Sequence, residues 1–324
     1  MDSKLFVRKQ SGGMFSIIDK SVTTGSIFWV HSGTGTDGVG YGYNPDRPCA
    51  TIDYAYNKCT TSKGDIVYVM PGHAETYSAA DALVLDLIGV SIIGLGEGAL
   101  KPTISVDTEH TEEASVSFTG SSNLLQGIRF VGINAGGSKN VISITGGTAP
   151  AGSWNTIKDC DFVETSTDKE LAIGAAYGVI TLLDAAAIIQ GTKIIGCTMI
   201  GLAGNDESFV SVTDGTSGAT DVLISGCHIV GTFADDLIQA DAGTNVNTRW
   251  TVENSTLVNL GGNNVVITID TGGVFFMHNL AVFGAHTTTP PIVGYNASYQ
   301  GLVATCEPGA IALMGVGSAT NWGA

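Results

Sequence analysis

Six stretches of the chain repeat one spacing of apolar positions: NLLQGIRFVG (123–132), NTIKDCDFVE (155–164), GTKIIGCTMIG (191–201), TDVLISGCHIVG (220–231), TRWTVENSTLVN (248–259) and GGVFFMHNLAVFG (272–284). Superimposed, they give three columns. The first is Leu125, Ile157, Ile194, Ile224, Val252 and Met277; the second is Ile128, Cys160, Cys197, Cys227, Ser255 and Leu280; the third is Phe130, Phe162, Met199, Ile229, Leu257 and Val282. The second and third columns lie two residues apart, the period at which strand side chains return to one face. Between the first and second a Gly or Asn recurs (Gly127, Gly196, Gly226, Asn254), which predicts a kink or bulge. A second set of short strands alternates with the first: VSFTG (116–120), VISITG (141–146), VITLLD (179–184), FVSVTDG (209–215), LIQADAG (237–243) and VVITIDTGG (265–273). Most of these close on Gly or Asp, residues suited to turns.

Each repeat therefore holds at least two strands and two turns. The second-column residues recur at intervals of 32, 37, 30, 28 and 25 residues, so loops absorb insertions while the strand core stays constant. Helical and leucine-rich repeats need segments of helical period, and none is present; a propeller blade needs four antiparallel strands in roughly 40–45 residues. Short strands, glycine-rich turns and single apolar columns fit an all-β, right-handed parallel β-helix, in which each coil stacks on the last. At about 4.8 Å per coil, residues 64 to about 300 make about eight coils and a rod roughly 40 Å long.

A solenoid end exposes strand edges and open core, so it needs a cap. Ile52, Ala55, Tyr56 and Cys59 recur at i, i+3, i+4, i+7, which predicts a short amphipathic helix near 51–59 with Thr51 as its N-cap. Gly64-Asp65 then turns the chain into a strand from Ile66 to Met70, ended by Pro71-Gly72. The predicted organisation is an N-terminal docking extension (1–30), the β-helix with its capping helix (31–300) and a Gly/Ala-rich tail (301–324).

The order Pro-x-x-Thr-Ile, short helix, Gly-Asp-x-Val-x-Val-x-Pro-Gly, then Glu75 and Tyr77, resembles the opening of pectate-lyase-like right-handed β-helix proteins. More narrowly, IFWVHSGTGTDGVGYGYNPDRPCATIDYAYNKC followed by GDIVYVMPGHAETY, with the leading MFSIIDKSVTTGSIFWV, resembles β-helix virion proteins of tailed bacteriophages. The close resemblance covers roughly residues 12 to 78. It implies the fold firmly and the chemistry weakly, because one fold hosts many activities.

Composition narrows the function classes. The 324 residues include 44 glycines, and only 14% are charged, against roughly 25% in an ordinary protein. A net charge of -16 argues against nucleic-acid backbones and anionic membrane surfaces as partners. The N-terminus, MDSKLFVRKQSGG, lacks the apolar core of a signal peptide. The apolar stretch 171–189 has the length of a membrane span, but Asp184 and two glycines inside it favour buried strands. Six cysteines with no Cys-x-x-Cys spacing do not make a disulfide scaffold. Cys160, Cys197 and Cys227 share one column and are expected as an inward stack of free thiols.

Candidate chemistry is sparse. Glycoside cleavage needs two carboxylates across the bond. Asp235-Asp236, with Asp241 following, is the best local group and resembles one element of polygalacturonase-type hydrolases. The accompanying Asn-Thr-Asp, Gly-His-Gly and Arg-Ile-Lys elements are absent, so a turn with solvated carboxylates is the preferred reading. Arg129 faces outward, one coil from Asp161 in the same column, which predicts a surface ion pair rather than a lyase base. His73 and Glu75 have donors for a metal, but the turn after Pro71-Gly72 accounts for both. Trp154, Trp250, Tyr177 and Phe233 are aromatics with faces suited to sugars or to packing. No cofactor or metal is expected. Phe6, Phe15, Ile17 and Ile18 make the extension apolar enough to dock.

The expectation is a virion surface protein, made in the host cytoplasm and without enzymatic activity: a homotrimeric capsid decoration protein or head fibre. Its partners would be itself and the major capsid protein or another virion protein, with no nucleic acid and no membrane. The alternative is a tailspike-like adsorption protein that binds or cuts a host-surface glycan.

Overall fold

The computed structural model describes residues 7–10, 13–16, 23 and 25–305, apart from 108–113, 135, 147–151, 167–168, 170, 173–176, 184–187, 203–207, 214–217, 241–246, 262–264, 270–273, 285–291, 295–297 and 301–302. Three long sheets carry the molecule. The first has ten strands, from Ile27–Val30 through Ile66–Val69 to Ser298–Gln300; the second has nine, from Ala74–Tyr77 to Val303–Thr305; the third has eight, from Leu83–Leu85 to Ile292–Gly294. Every pairing within them is parallel, and the chain visits the first, second and third sheets in turn before stepping up one rung. This is a right-handed parallel β-helix of eight complete coils.

The repeat columns are the sheet registers. Leu125 pairs with Ile157, and the series continues through Ile194, Ile224 and Val252 to Met277 in the first sheet. Phe130 to Val282 align in the same way in the second. The alternating set of short strands forms the third sheet. The predicted kink is a corner: each long segment breaks into two strands that belong to different sheets. At that corner Gly127, Asp159, Gly196, Gly226, Asn254 and Asn279 all take the left-handed conformation, with φ between 51° and 72°. The amides of the first five donate to the next coil, as from Gly127 to the Lys158 carbonyl and from Asn254 to the His278 carbonyl. Gly, Asn and Asp tolerate this region best, which explains the recurring residue types.

Inside, the columns close-pack. Phe130 stacks on Phe162 at 5.4 Å, Phe162 meets Phe209 edge-on at 5.7 Å, and Trp250 stacks on Phe275 at 5.2 Å. Buried asparagines complete the ladder where the third sheet turns into the first. The Asn123 side chain accepts from the Val90 amide and donates to the Leu87 carbonyl; Asn155 accepts from the Asn123 amide and donates to the Gly120 carbonyl. Apolar residues at these two positions would leave backbone groups unpaired in the interior.

The ends differ slightly from expectation. Ile27–Val30 is already the first rung of the ten-stranded sheet, and Val303–Thr305 is still a rung, so the rod extends past both expected limits, 31 and 300. The capping helix is Ile52–Tyr56, shorter than 51–59; the Thr51 side chain accepts from the Tyr54 amide as its N-cap. Residues Val7–Gln10 and Gly13–Ser16 pair as an antiparallel ribbon. The apolar stretch 171–189 holds the third-sheet strand Gly178–Leu183, and among the described residues no helix is long and apolar enough to cross a membrane.

Candidate functional site

Because side chains alternate on a strand, each inward column has an outward neighbour, and any function of a filled solenoid lies on those outer faces and corners. On the second sheet, one outward column runs Thr103, Arg129, Asp161, Thr198, His228 and Thr256. Asp161 is its electrostatic centre. Lys101 Nζ lies 2.8 Å from Oδ1, Arg129 Nη2 lies 3.2 Å from Oδ2, and the Thr198 hydroxyl donates to Oδ1 at 3.0 Å. Burial alone would raise the Asp161 pKa, but Lys101, Thr198 and Arg129 hold it below the ordinary carboxylate value. The expected Arg129–Asp161 pair is present. Lys101 was not legible, because it reaches in from the loop before the strand Thr103–Val106.

Two residues along the same strands is a second outward column: Val131, Val163, Ile200, Val230, Val258 and Phe283. All are at least partly exposed, and Ile200 is 61% exposed. Leu202 and Leu260 are exposed just beyond the ends of their strands. Six apolar side chains in register make a straight stripe about 24 Å long, at about 4.8 Å per step. A run of this kind on an outer face is the signature of an interaction surface.

The third sheet is polar along its outward middle column, where Ser117, Ser143, Thr181 and Ser211 align and are each no more than 4% exposed. Their hydroxyls bond to one another, with Ser143 donating to Ser117 and Ser211 to Thr181, and Ser117 donates to Asp81. This column offers no open groove.

At the N-terminal end, a cleft of about 510 Å³ is lined by Ser32, Thr51, Asp53, Glu75 and Tyr77 among others. Its polar groups tie the cap together. Glu75 Oε1 accepts from the Ile52 amide at 2.7 Å and lies 3.1 Å from His73 Nε2, while His73 Nδ1 accepts from the Ser32 amide at 3.0 Å. Burial, then the nearby Glu75 carboxylate, pushes the Tyr77 phenol well up. Burial also raises the Asp53 carboxyl, against a hydrogen bond from Asn57. His73 and Glu75 thus join loop, helix and first coil, and among the described residues no cluster of three metal-ligating side chains forms.

The remaining sequence candidates separate. Asp235 accepts from the Asp236 amide, and Asp236 accepts from the Val265 amide and the Thr268 hydroxyl of the next coil. Asp236 is therefore committed to inter-coil bonds rather than freely solvated. Asp241 lies outside the described residues, as do Phe6, Ile17 and Ile18; Phe15 is on the strand Gly13–Ser16, and its side chain also lies outside them. Cys160, Cys197 and Cys227 are buried free thiols on successive coils. The thiols of Cys160 and Cys227 on either side, together with burial, push Cys197 well up.

Of the four aromatics, Trp250 and Phe233 are fully buried, and Tyr177 lies under the Lys139 ammonium at 4.4 Å. Trp154 alone of the four is exposed, at 50%. It occupies the left-handed column where the third sheet turns into the first, together with Ser122, Gly191, Asp221 and Arg249. In that column Arg249 binds Asp221 through two nitrogens, at 2.6 and 2.7 Å, and the Gln190 amide donates to Asp221 at 3.0 Å. These bonds, those from Arg249 first, lower the Asp221 carboxyl to about 2.

No protein-family model matches the chain, and no curated protein matches it. Among solved structures, it is similar to a rhamnogalacturonan lyase at 13% identity and a TM-score of 0.49, over 79% of this chain and 74% of that one. It is also similar to a chain described as Geobacillus virus E2 - ORF18, at 13% identity and a TM-score of 0.45, over 81% of this chain. The match spans 59% of the length of that viral chain. The parallel β-helix itself stands on the sheet order and register.

Proposed function

We propose that the chain is a non-enzymatic structural component of the outside of a tailed-bacteriophage particle, a capsid decoration protein or head fibre that assembles as a homotrimer. The observation that carries this reading is the apolar stripe from Val131 to Phe283, a straight hydrophobic seam on one face of a rod with net charge -16. A strongly acidic chain repels its own copies over most of its surface. The seam is uncharged, and its flanking carboxylate, Asp161, is neutralised by Lys101 and Arg129. Three rods set side by side with this face inward bury it under closed symmetry.

Three other carboxylates are committed elsewhere: Asp221 to Arg249, Glu253 to His278 at 2.7 Å, and Asp236 to the next coil. None of them stands ready as the paired acid and base of glycoside cleavage. The resemblance of residues 12–78 to phage β-helix proteins supports the particle, and the segment ahead of the rod is assigned the docking contact with the major capsid protein or another virion protein. Mass spectrometry of purified particles should find the chain, and deletion of residues 1–22 should keep the β-sheet circular dichroism while preventing incorporation. Full occupancy of particles by the truncated protein would contradict the docking role, and absence of the chain from particles would contradict the whole reading.

A further inference from the structure

The N-terminal end of the rod is closed unevenly. On the first sheet, the Trp29 and His31 amides donate to the Gly42 and Cys49 carbonyls, and the Cys49 amide donates back to the Trp29 carbonyl, so the loop 42–49 covers that edge. The capping helix packs against Leu83–Leu85, the end strand of the third sheet. Ala74–Tyr77, the end strand of the second sheet, instead has the cleft of about 510 Å³ along it, lined by residues 74–79. The Thr103 and Asp107 amides donate to the His73 and Tyr77 carbonyls, so the backbone groups at these alternate positions face the neighbouring rung. Those of Ala74 and Thr76 therefore face the cleft. The Ala74 amide donates to Ser32 Oγ at 3.0 Å, while the Ala74 carbonyl and the Thr76 amide and carbonyl have no partner among the described residues. A row of open backbone groups is a template for a further strand.

The same chain holds a second open strand pair. Val7–Gln10 and Gly13–Ser16 form a sheet of two strands, joined to none of the three long sheets. Two strands alone are marginally stable in water and need a third strand or a packed face. Charge matches the two edges. Lys4, Arg8 and Lys9 stand against the single carboxylate of Asp2 in residues 1–10, in a chain of net charge -16. The cleft is acidic: Asp53 and Glu75 line it, and burial first, then the carboxylates of Glu75, Asp37 and Asp86, raise the Asp53 carboxyl against the Asn57 hydrogen bond. The reach is sufficient as well. The Thr23 hydroxyl donates to the Gly64 carbonyl, just ahead of the strand Ile66–Val69. From Ser16 to Thr23 the chain can span about 23 Å, and one side of a coil is about 10–14 Å.

We propose that the open edge of Ala74–Tyr77 is a strand-acceptor site for the chain's own N-terminal ribbon, with Val7–Gln10 as the added strand and Arg8 and Lys9 bringing positive charge to the acidic cleft. Main-chain hydrogen bonds to Thr76 hold the strand, and the cations select it. The ribbon gains its third strand, and the second sheet loses its bare edge. Gly13–Ser16 then becomes the outermost rung and stays free to meet a partner. The inference does not rest on the virion reading, because it concerns the isolated protein.

Hydrogen exchange on the full-length protein, read residue by residue, tests this. The Thr76 amide should exchange at least tenfold more slowly in wild type than in Arg8→Pro with Lys9→Pro, since two successive prolines remove the strand's donors on both edges. The Thr103 amide, bonded to His73 within the rod, is the internal reference and should be equally protected in both proteins. Arg8→Glu with Lys9→Glu should speed exchange at Thr76 several-fold. Protection should persist in Ile200→Glu with Val230→Glu, which separates it from assembly through the apolar seam. A Thr76 amide that exchanges freely in wild type would overturn the proposal, as would equal protection in the proline variant. Loss of Thr76 protection in Ile200→Glu with Val230→Glu would assign the strand to a second copy and overturn it too.

Discussion

At the residue scale, polar side chains in this solenoid earn their place by completing hydrogen bonds that the strands leave open. Asn123 serves the Val90 amide and the Leu87 carbonyl from a position only 1% exposed. Asn123→Ala should therefore cost about 1–3 kcal/mol in urea unfolding, the range for stranding buried polar groups. A loss within error of zero would show that water replaces the amide. Asp161 offers a pH test. Its folded pKa lies below the unfolded value of 3.8, so its stabilisation is complete above that value and is lost as pH falls toward the folded pKa. Asp161→Asn should be less stable than wild type at pH 7 by about 2 kcal/mol, since Lys101 and Arg129 lose a charged acceptor. The gap should close progressively below pH 3.8. A gap that stays constant down to pH 2 would mean that packing, and not charge, is what the substitution removes.

At the scale of the element, the recurring unit is a strand, a left-handed corner residue and a second strand. Two corner glycines separate backbone cost from crowding. At Gly226 a Cβ would meet nothing closer than 3.8 Å, so Gly226→Ala should cost only the left-handed backbone term, about 1–2 kcal/mol. At Gly127 the Cβ would also meet the Gly94 carbonyl oxygen at 2.8 Å, so Gly127→Ala should cost more. Chemical denaturation of both variants checks the order, and the reverse order would mean that the corners are not equivalent. The apolar columns were legible in the sequence because an inward position has the same neighbour on every coil. The third strand of each coil was also legible, but the break of each long segment into two sheets was not. A single left-handed residue changes the chain direction without disturbing the apolar spacing around it. Asp159 and Asn279 fill the corner as well as Gly does, which hides the motif from a search for glycine.

At the scale of the molecule, the solenoid spends its hydrophobic residues inward, and the second sheet is the face where an outward column is apolar as well. That stripe could have been read from the sequence at Val131, Val163, Ile200, Val230, Val258 and Phe283, one residue beyond the third inward column. It was hidden because each of these residues looks like ordinary strand filling until the register fixes which side it faces. Trp154 was legible as an aromatic, but its left-handed corner position against Gly191 of the next coil was not. Assembly through the stripe is the central claim, and the mass of the full-length protein in solution tests it most directly. Multi-angle light scattering at micromolar concentration should give about 100 kDa, three copies of the 33.3 kDa chain. Ile200→Glu with Val230→Glu should return it to a single folded chain. A wild-type mass of 33.3 kDa under the same conditions would contradict the account, as would a trimer that the two glutamates leave intact.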